Sequence, residues 1–304
     1  MSSLPLTYAH CSLPGGRTYN EDALRVARIG EQFHLVLADG AGGHARGAEA
    51  AKQVVDAIDA DLAHLASQAT APDEALLQAI VRQAHDTLRR AQPGAQLDTR
   101  PDPRADAAPP ARKARPGDSM HATVVVLWLD LARRLAAWAH VGDSRLYLLR
   151  HNRVEQVSRD DSAVQLLVDA GVIDREQARR HPAKNRLLAA LGIADDIDPH
   201  AGAAALRDGD VWLACTDGWW DGLADADIEH SLDGSVSVTA WVQQMRAHLA
   251  YAPPPNQDNH SAVAVWVGRP EDITRVMPAF VPTVPDDTIS LPGDDGRADD
   301  GDTR

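Results

Sequence analysis

Two apolar runs in this chain end in Asp-Gly. Phe33 to Ala38 leads into Asp39-Gly40, and Val211 to Thr216 leads into Asp217-Gly218. A third run, Ala136 to Val141, ends in Gly142-Asp143, and a fourth, Ala262 to Val267, is preceded by Asp258-Asn259. Four strand-like segments thus carry an aspartate at one end. If those ends converge, they present the hard oxygen ligands that Mg²⁺ and Mn²⁺ take up in near-octahedral geometry with some water retained. A glycine after the aspartate lets a backbone carbonyl approach as well. Two such ions held close together lower the pKa of a shared water and neutralise charge on a phosphoryl oxygen.

Asp-Gly by itself is the commonest hairpin signal, and Asp208-Gly209, just ahead of the run from Val211, reads as such a turn. Asp39 and Asp217 differ because each closes an apolar strand and has further Asp and Gly residues nearby. Gly40-Ala41-Gly42-Gly43 also invites comparison with a dinucleotide-binding loop. The required GxGxxG is not met, since position 45 is Ala45 and the next glycine is Gly47, and no parallel βαβ unit follows.

The elements that must position these residues follow from periodicity. Residues 4–12 and 23–29 are strand-compatible, and 33–38 form a short strand. Val54, Val55, Ile58, Leu62 and Leu65 fall on one face of a helix running from Ala45 to about Ala69. Asp73 caps a second helix whose buried face carries Leu76, Leu77, Ile80, Val81, Ala84 and Leu88. Six prolines between Gln92 and Asp118 break the pattern, and 92–118 reads as a disordered surface insertion. Strands follow at Thr123 to Leu129 and Arg134 to Val141 around a turn at Asp130 to Arg133, then at Ser144 to Leu149 and Val154 to Val157. Residues 159–192 read as short helices: one ends at Gly171, one is capped by Asp174 and stopped by His181-Pro182, and a third spans Leu187 to Leu191. Strands resume at Val211, Ser237 caps a helix containing Trp241, Val242, Met245 and Leu249, and Ala262 to Val267 is the last strand. This order is α+β, with mainly antiparallel sheets and helices packed outside them.

The formal net charge of −14 over 304 residues argues against a nucleic-acid partner, which would require clustered Lys and Arg. Nine acidic residues and four arginines lie between Arg269 and Arg304, a Pro- and Asp-rich stretch expected to be a disordered acidic tail. Cys11 and Cys215 are the only cysteines, with no zinc-type spacing. No leader pattern opens the chain, and no apolar stretch approaches the ~20 residues of a membrane span. A soluble cytoplasmic protein is expected.

Gly16-Arg17-Thr18-Tyr19-Asn20-Glu21-Asp22, Asp39-Gly40-Ala41-Gly42-Gly43-His44, Gly142-Asp143-Ser144-Arg145, Asp217-Gly218 and Asp258-Asn259-His260-Ser261 occur in that order. Together they resemble the ordered motifs of the metal-dependent protein serine/threonine phosphatases of type 2C, of the bacterial kind, over about residues 8–268. The resemblance implies a four-layer α-β-β-α sandwich, with two mainly antiparallel sheets flanked by helices and a two-metal site at one end. It implies a catalytic domain over 1–268, with 159–192 as a flap beside the site and 269–304 as a tail. It makes Asp39 the bridge between two Mn²⁺ or Mg²⁺ ions, joined by the Gly40 carbonyl, with Asp217 and Asp258 on the first metal. Glu21 and Asp22 would hold metal-bound water, and Asp143 with Asp217 would bind a third, weaker metal. Arg17 would grip the phosphate, a role that suits a bidentate guanidinium.

The implied reaction is direct hydrolysis of phosphoserine or phosphothreonine by a metal-bridging hydroxide. The implied partners are phosphorylated proteins, including a Ser/Thr kinase and its substrates, and the protein is expected to be a monomer. A non-catalytic binding module on the same fold is the alternative; intact Arg17, Asp39, Asp217 and Asp258 argue against it. Eukaryotic members carry histidine where this chain has Ala41, so the general acid stays unassigned; His44 is a nearby candidate. Trp219-Trp220 reads as core or flap packing rather than substrate stacking.

Overall fold

A computed structural model describes residues 3–42, 45–92, 119–151, 153–251 and 257–269. The Pro-rich segment beyond Gln92, the acidic tail from residue 270 and His44 lie outside the described residues.

The chain opens with three strands, β1 (Leu6–Leu13), β2 (Asp22–Ile29) and β3 (Gln32–Ala41), then two helices, α1 (Ala45–Ser67) and α2 (Glu74–Ala91). Five strands follow: β4 (His121–Ala122), β5 (Val124–Asp130), β6 (Leu135–Val141), β7 (Arg145–Arg150) and β8 (Arg153–Gln156). Two short helices, α3 (Ala163–Asp169) and α4 (Arg175–Arg179), precede β9 (His200–Ala205) and β10 (Val211–Cys215). The described chain closes with α5 (Asp217–Trp220), α6 (Asp225–Asp233), α7 (Val238–Tyr251) and β11 (His260–Val267).

The strands form two sheets, in the orders β1-β11-β10-β7-β8 and β2-β3-β5-β6-β9, with β4 paired to β3. Every strand pairing among them is antiparallel. The period-2 pleat divides each central strand between two cores. On β3, Phe33, Leu35 and Leu37 face the other sheet, meeting Leu148, Trp212 and Val263. Val36 and Ala38 face outward against Val54, Ile58 and Leu62 of α1 and Leu77 and Val81 of α2. The β1-β11-β10-β7-β8 sheet is covered likewise by Trp219, Ile228, Trp241 and Met245 from α5 to α7. The result is the expected α-β-β-α sandwich.

Local chemistry explains most helix starts. Asp73 Oδ1 accepts from the Leu76 amide at 3.0 Å, Asp174 forms a capping box with Gln177, and Ser237 Oγ accepts from the Ala240 amide at 3.1 Å. Asp208-Gly209 is a turn, as expected.

Four elements differ from expectation. Leu187 to Leu191 is not helical: Ala122 and Leu191 exchange both backbone hydrogen bonds, and Leu187 bridges Ser162, so the segment is held extended. Strand β9 was not foreseen. Its residues, His200 to Ala205, are mostly Ala and Gly because the indole of Trp138 packs against Gly202, which leaves no apolar alternation to read. The short helices α5 and α6 were also unforeseen. Cys11 and Cys215 are buried free thiols facing Ala262 from the two neighbouring strands. No described helix is long and apolar enough to cross a membrane.

Candidate functional site

The strand ends do converge. A cleft of about 570 Å³ is lined by Arg17, Glu21, Asp39, Gly40, Asp143, Asp217 and Asp258, with Tyr19, Ala41, Asn185, Leu187 and Asn259 among the other wall residues. Of the eight residues singled out in the sequence, only Asp22 does not line it. Asp22 stands directly opposite Asp39 across β2 and β3. Like charges at such a position are destabilising. Its Oδ2 accepts from Thr216 Oγ1 at 3.0 Å, so the carboxylate lies against the β10 wall behind the cleft.

Close backbone approach builds the rest. A Cβ placed on Gly40 would come within 2.0 Å of the Gly47 carbonyl, so only glycine lets β3 run this close to the start of α1. The same contact gathers two oxygens. A Cβ on Gly47 would lie 2.3 Å from Glu21 Oε2 and 2.8 Å from the Gly40 carbonyl. The Gly40 amide donates to the Glu21 carbonyl at 3.1 Å, tying β3 to the loop that carries Arg17.

The electrostatics show a group of carboxylates in need of positive charge. Burial, and then the charges of Asp22, Asp217, Asp143 and Asp258, push the Asp39 carboxyl well above the usual range. Asp143 is raised by burial and by Asp217 and Asp160, with Arg145 opposing. Asp22 is raised to about 7, chiefly by burial and then by Asp217 and Asp258, against a hydrogen bond from Ser261. Asp217 is raised to about 6 by burial and Asp258. The Oδ1 atoms of Asp22 and Asp217 are buried without a hydrogen-bond partner among the described residues. Buried carboxylates normally find a proton donor or a cation.

These observations fit divalent cations. No three His, Cys, Asp or Glu side chains among the described residues form a compact cage. Hard ions placed there would draw on carbonyl oxygen and water as well as carboxylates.

Arg17 reaches over the cleft and pairs with Asp258, Nη2 to Oδ2 at 2.7 Å, while staying largely exposed. Its guanidinium is therefore free to turn toward an anion. The 159–192 segment supplies Asn185 and Leu187 to the cleft wall and is rooted beside Asp143: the Asp161 amide donates to the Gly142 carbonyl at 2.9 Å, and the Gly142 amide donates to Asp161 Oδ2 at 2.9 Å.

Residues 16–251 match the family described as Protein phosphatase 2C. The chain belongs to that family. It is 36% identical over 233 residues to the serine/threonine protein phosphatase PstP of Mycobacterium tuberculosis, covering 76% of this chain and 39% of that relative. It therefore spans well under half the length of that curated protein. Among solved structures it resembles the PstP catalytic domain in complex with two manganese ions, at 30% identity and a TM-score of 0.66, with 88% of this chain and 100% of that one covered. It also resembles PppA of Pseudomonas aeruginosa, at 25% identity and a TM-score of 0.64, covering 88% and 100% respectively.

Two features of this phosphatase 2C site went unread in the sequence. The indole Nε1 of Trp220 donates to the Asp143 carbonyl at 2.9 Å. Arg145 stacks on that indole at 3.6 Å and chelates Asp160 through Nε and Nη2. Trp219 and Trp220 are thus core residues, as expected, and one of them also anchors the loop of a candidate ligand. A second, larger cavity of about 720 Å³ lies between α3, α4 and α6 and has this Arg145–Trp220 pair in its lining.

Proposed function

We propose that this chain is a metal-dependent phosphatase of phosphoserine and phosphothreonine in proteins, working as a cytoplasmic monomer and opposing a Ser/Thr kinase. The observation that carries this reading is the convergence of Asp39, Asp143, Asp217 and Asp258 on one cleft, beside an arginine that can turn. Such a cluster is costly unless cations complete it. Family membership and the manganese-bound PstP catalytic domain support the same reading.

Asp39 and the Gly40 carbonyl would hold Mn²⁺ or Mg²⁺ at the centre of the cleft, with Asp217 and Asp258 on one ion and Asp143 with Asp217 on a third, weaker one. When bound, these ions supply a water of lowered pKa and neutralise phosphoryl charge. The protein's own groups do the rest. Arg17 leaves Asp258 and donates two hydrogen bonds to non-bridging phosphoryl oxygens, fixing the phosphorus for in-line attack. Glu21 on the cleft wall and Asp22 behind it would accept hydrogen bonds from ordered water and orient it. Ala41 offers no acid at the position where eukaryotic members carry histidine; the general acid stays unassigned, and a water could give the serine or threonine alkoxide its proton.

Hydrolysis of p-nitrophenyl phosphate and of a phosphothreonine peptide, with Mn²⁺ and with EDTA, tests the reading. Turnover is expected only with metal. Equal turnover in EDTA would overturn it.

A further inference from the structure

Asn259 stands between Asp258 and β11, 5% exposed. Its side-chain amide is fully used. Oδ1 accepts from the Glu21 amide at 2.8 Å. Nδ2 donates to the Pro14 carbonyl at 3.0 Å and to the Tyr19 carbonyl at 2.8 Å. The Asn259 backbone amide donates to Asp258 Oδ1 at 2.8 Å. Its carbonyl lies against Gly218, where a Cβ would come within 2.2 Å. One residue therefore touches the loop of Arg17 and Glu21, the carboxylate of Asp258 and the residue after Asp217. Beside it the Gly16 amide donates to the Gln257 carbonyl at 2.9 Å, closing the same seam.

We propose that Asn259 is a positioning residue for the phosphoryl group: it sets the loop from Pro14 to Glu21 against Asp258 and thereby fixes where Arg17 can reach. This deepens the phosphatase reading and rests on it. Residues 14–19 are all exposed, so packing does little to hold Arg17 in place and hydrogen bonds must do it. The three side-chain bonds need one acceptor and two donors in a single plane, and a carboxamide supplies both. Glutamine is one methylene longer and would displace the loop. Aspartate has the right shape but no donor, and its charge would face the carbonyls of Pro14 and Tyr19. Serine or alanine would leave all three groups without their partner.

Asn259→Asp is therefore the sharpest probe. With Mn²⁺ present, kcat/KM for p-nitrophenyl phosphate is expected to fall about 10- to 100-fold, in the range for residues that orient a catalytic group. Inhibition by inorganic phosphate should weaken about as much, because both depend on Arg17. In an Arg17→Ala background the same substitution should cost no more than about threefold, since residues acting through one another are not additive. A variant with a lowered Tm but an unchanged phosphate inhibition constant, or with full additivity to Arg17→Ala, would reduce Asn259 to a fold-stabilising residue and overturn the proposal.

Hydrogen exchange on the metal-free wild-type protein reads the contact without catalysis. The Glu21 amide is expected to be protected, and free exchange there overturns the proposal even if the variant does not fold. Absence of metal-dependent hydrolysis in the wild type would instead sink the phosphatase reading, leaving the exchange result to decide whether Asn259 holds the loop.

Discussion

Strand β10 has an aspartate at each end, and so does the β3–β5 pair, yet the two poles of the sandwich treat them in opposite ways. At one pole Asp210 is chelated by Arg150, Nε to Oδ1 at 2.6 Å and Nη2 to Oδ2 at 2.8 Å, and also accepts from the Arg207 amide. Asp130 there accepts from the backbone and side chain of Arg133 and from Gln32. At the other pole Asp217 keeps a buried oxygen without a partner among the described residues, and Asp39 faces Asp22 with three more carboxylates close enough to raise it. The residue type and the strand-end placement are the same. What differs is whether the chain supplies the countercharge. Where it does, the aspartate stabilises the fold; where it does not, the chain leaves room for a cation to complete the site.

The sharpest way to break this comparison is Asp39→Asn or Asp217→Asn. Each should lower kcat/KM by ~10³-fold or more in p-nitrophenyl phosphate hydrolysis, the scale of losing a principal transition-state stabiliser. Each should also leave Tm in EDTA unchanged or higher, because a repelling charge has been removed. A clear drop in Tm without metal would mean that these carboxylates are structural after all. At the opposite pole Arg150→Ala should do the reverse. It strands Asp210, which is 1% exposed, and is expected to cost about 3 kcal/mol by urea denaturation, as removal of one partner from a buried pair does. Activity per folded molecule should be unchanged.

Metal titration sharpens the same contrast. Mn²⁺ at about a hundred times its Kd should stabilise the wild type by about 2.7 kcal/mol over EDTA, by mass action on the folded state. Asp39→Asn should lose most of that gain, and Arg150→Ala should keep it. Equal stabilisation of all three proteins would place metal binding elsewhere.

The two poles also differ in how legible they were. The cleft pole could be read because its aspartates stand at the ends of apolar runs in a fixed order, and Asp39, Asp143, Asp217 and Asp258 do line one cleft. The paired pole could not, since nothing in Asp210 or Arg150 announces a partner 60 positions away. The same limit hid Asn259. Its importance lies in three contacts with residues some 240 positions earlier, while its local signature is only an Asp-Asn before a strand. In the fold, strongly patterned elements such as α1, α2 and β3 were readable. Strand β9 was not, because its small residues serve Trp138 and leave no alternation. Leu187 to Leu191 failed because its conformation is set by pairing with Ala122 and Ser162, which local propensity does not contain.

The smallest expected effect concerns pH and the paired pole. Burial alone would raise the Asp130 carboxyl, but bonds from the Arg133 backbone and side chain and from Gln32, with the guanidinium charge, hold it below the usual range. Its folded pKa therefore lies below its unfolded value of ~3.9, so its contribution to stability is full above that value. That contribution disappears as pH falls through the folded pKa. Arg133→Ala removes one bond and the charge but leaves the backbone amide and Gln32 in place. Because Arg133 is about half exposed, solvent screening limits the cost at pH 7 to about 0.5–1 kcal/mol. The difference between variant and wild type in urea denaturation should shrink as pH falls from about 3.9 through the folded pKa, because a protonated Asp130 no longer distinguishes them. A difference that stays constant across that range would assign Arg133 a packing role instead, and the paired pole would then owe less to countercharge than its geometry indicates.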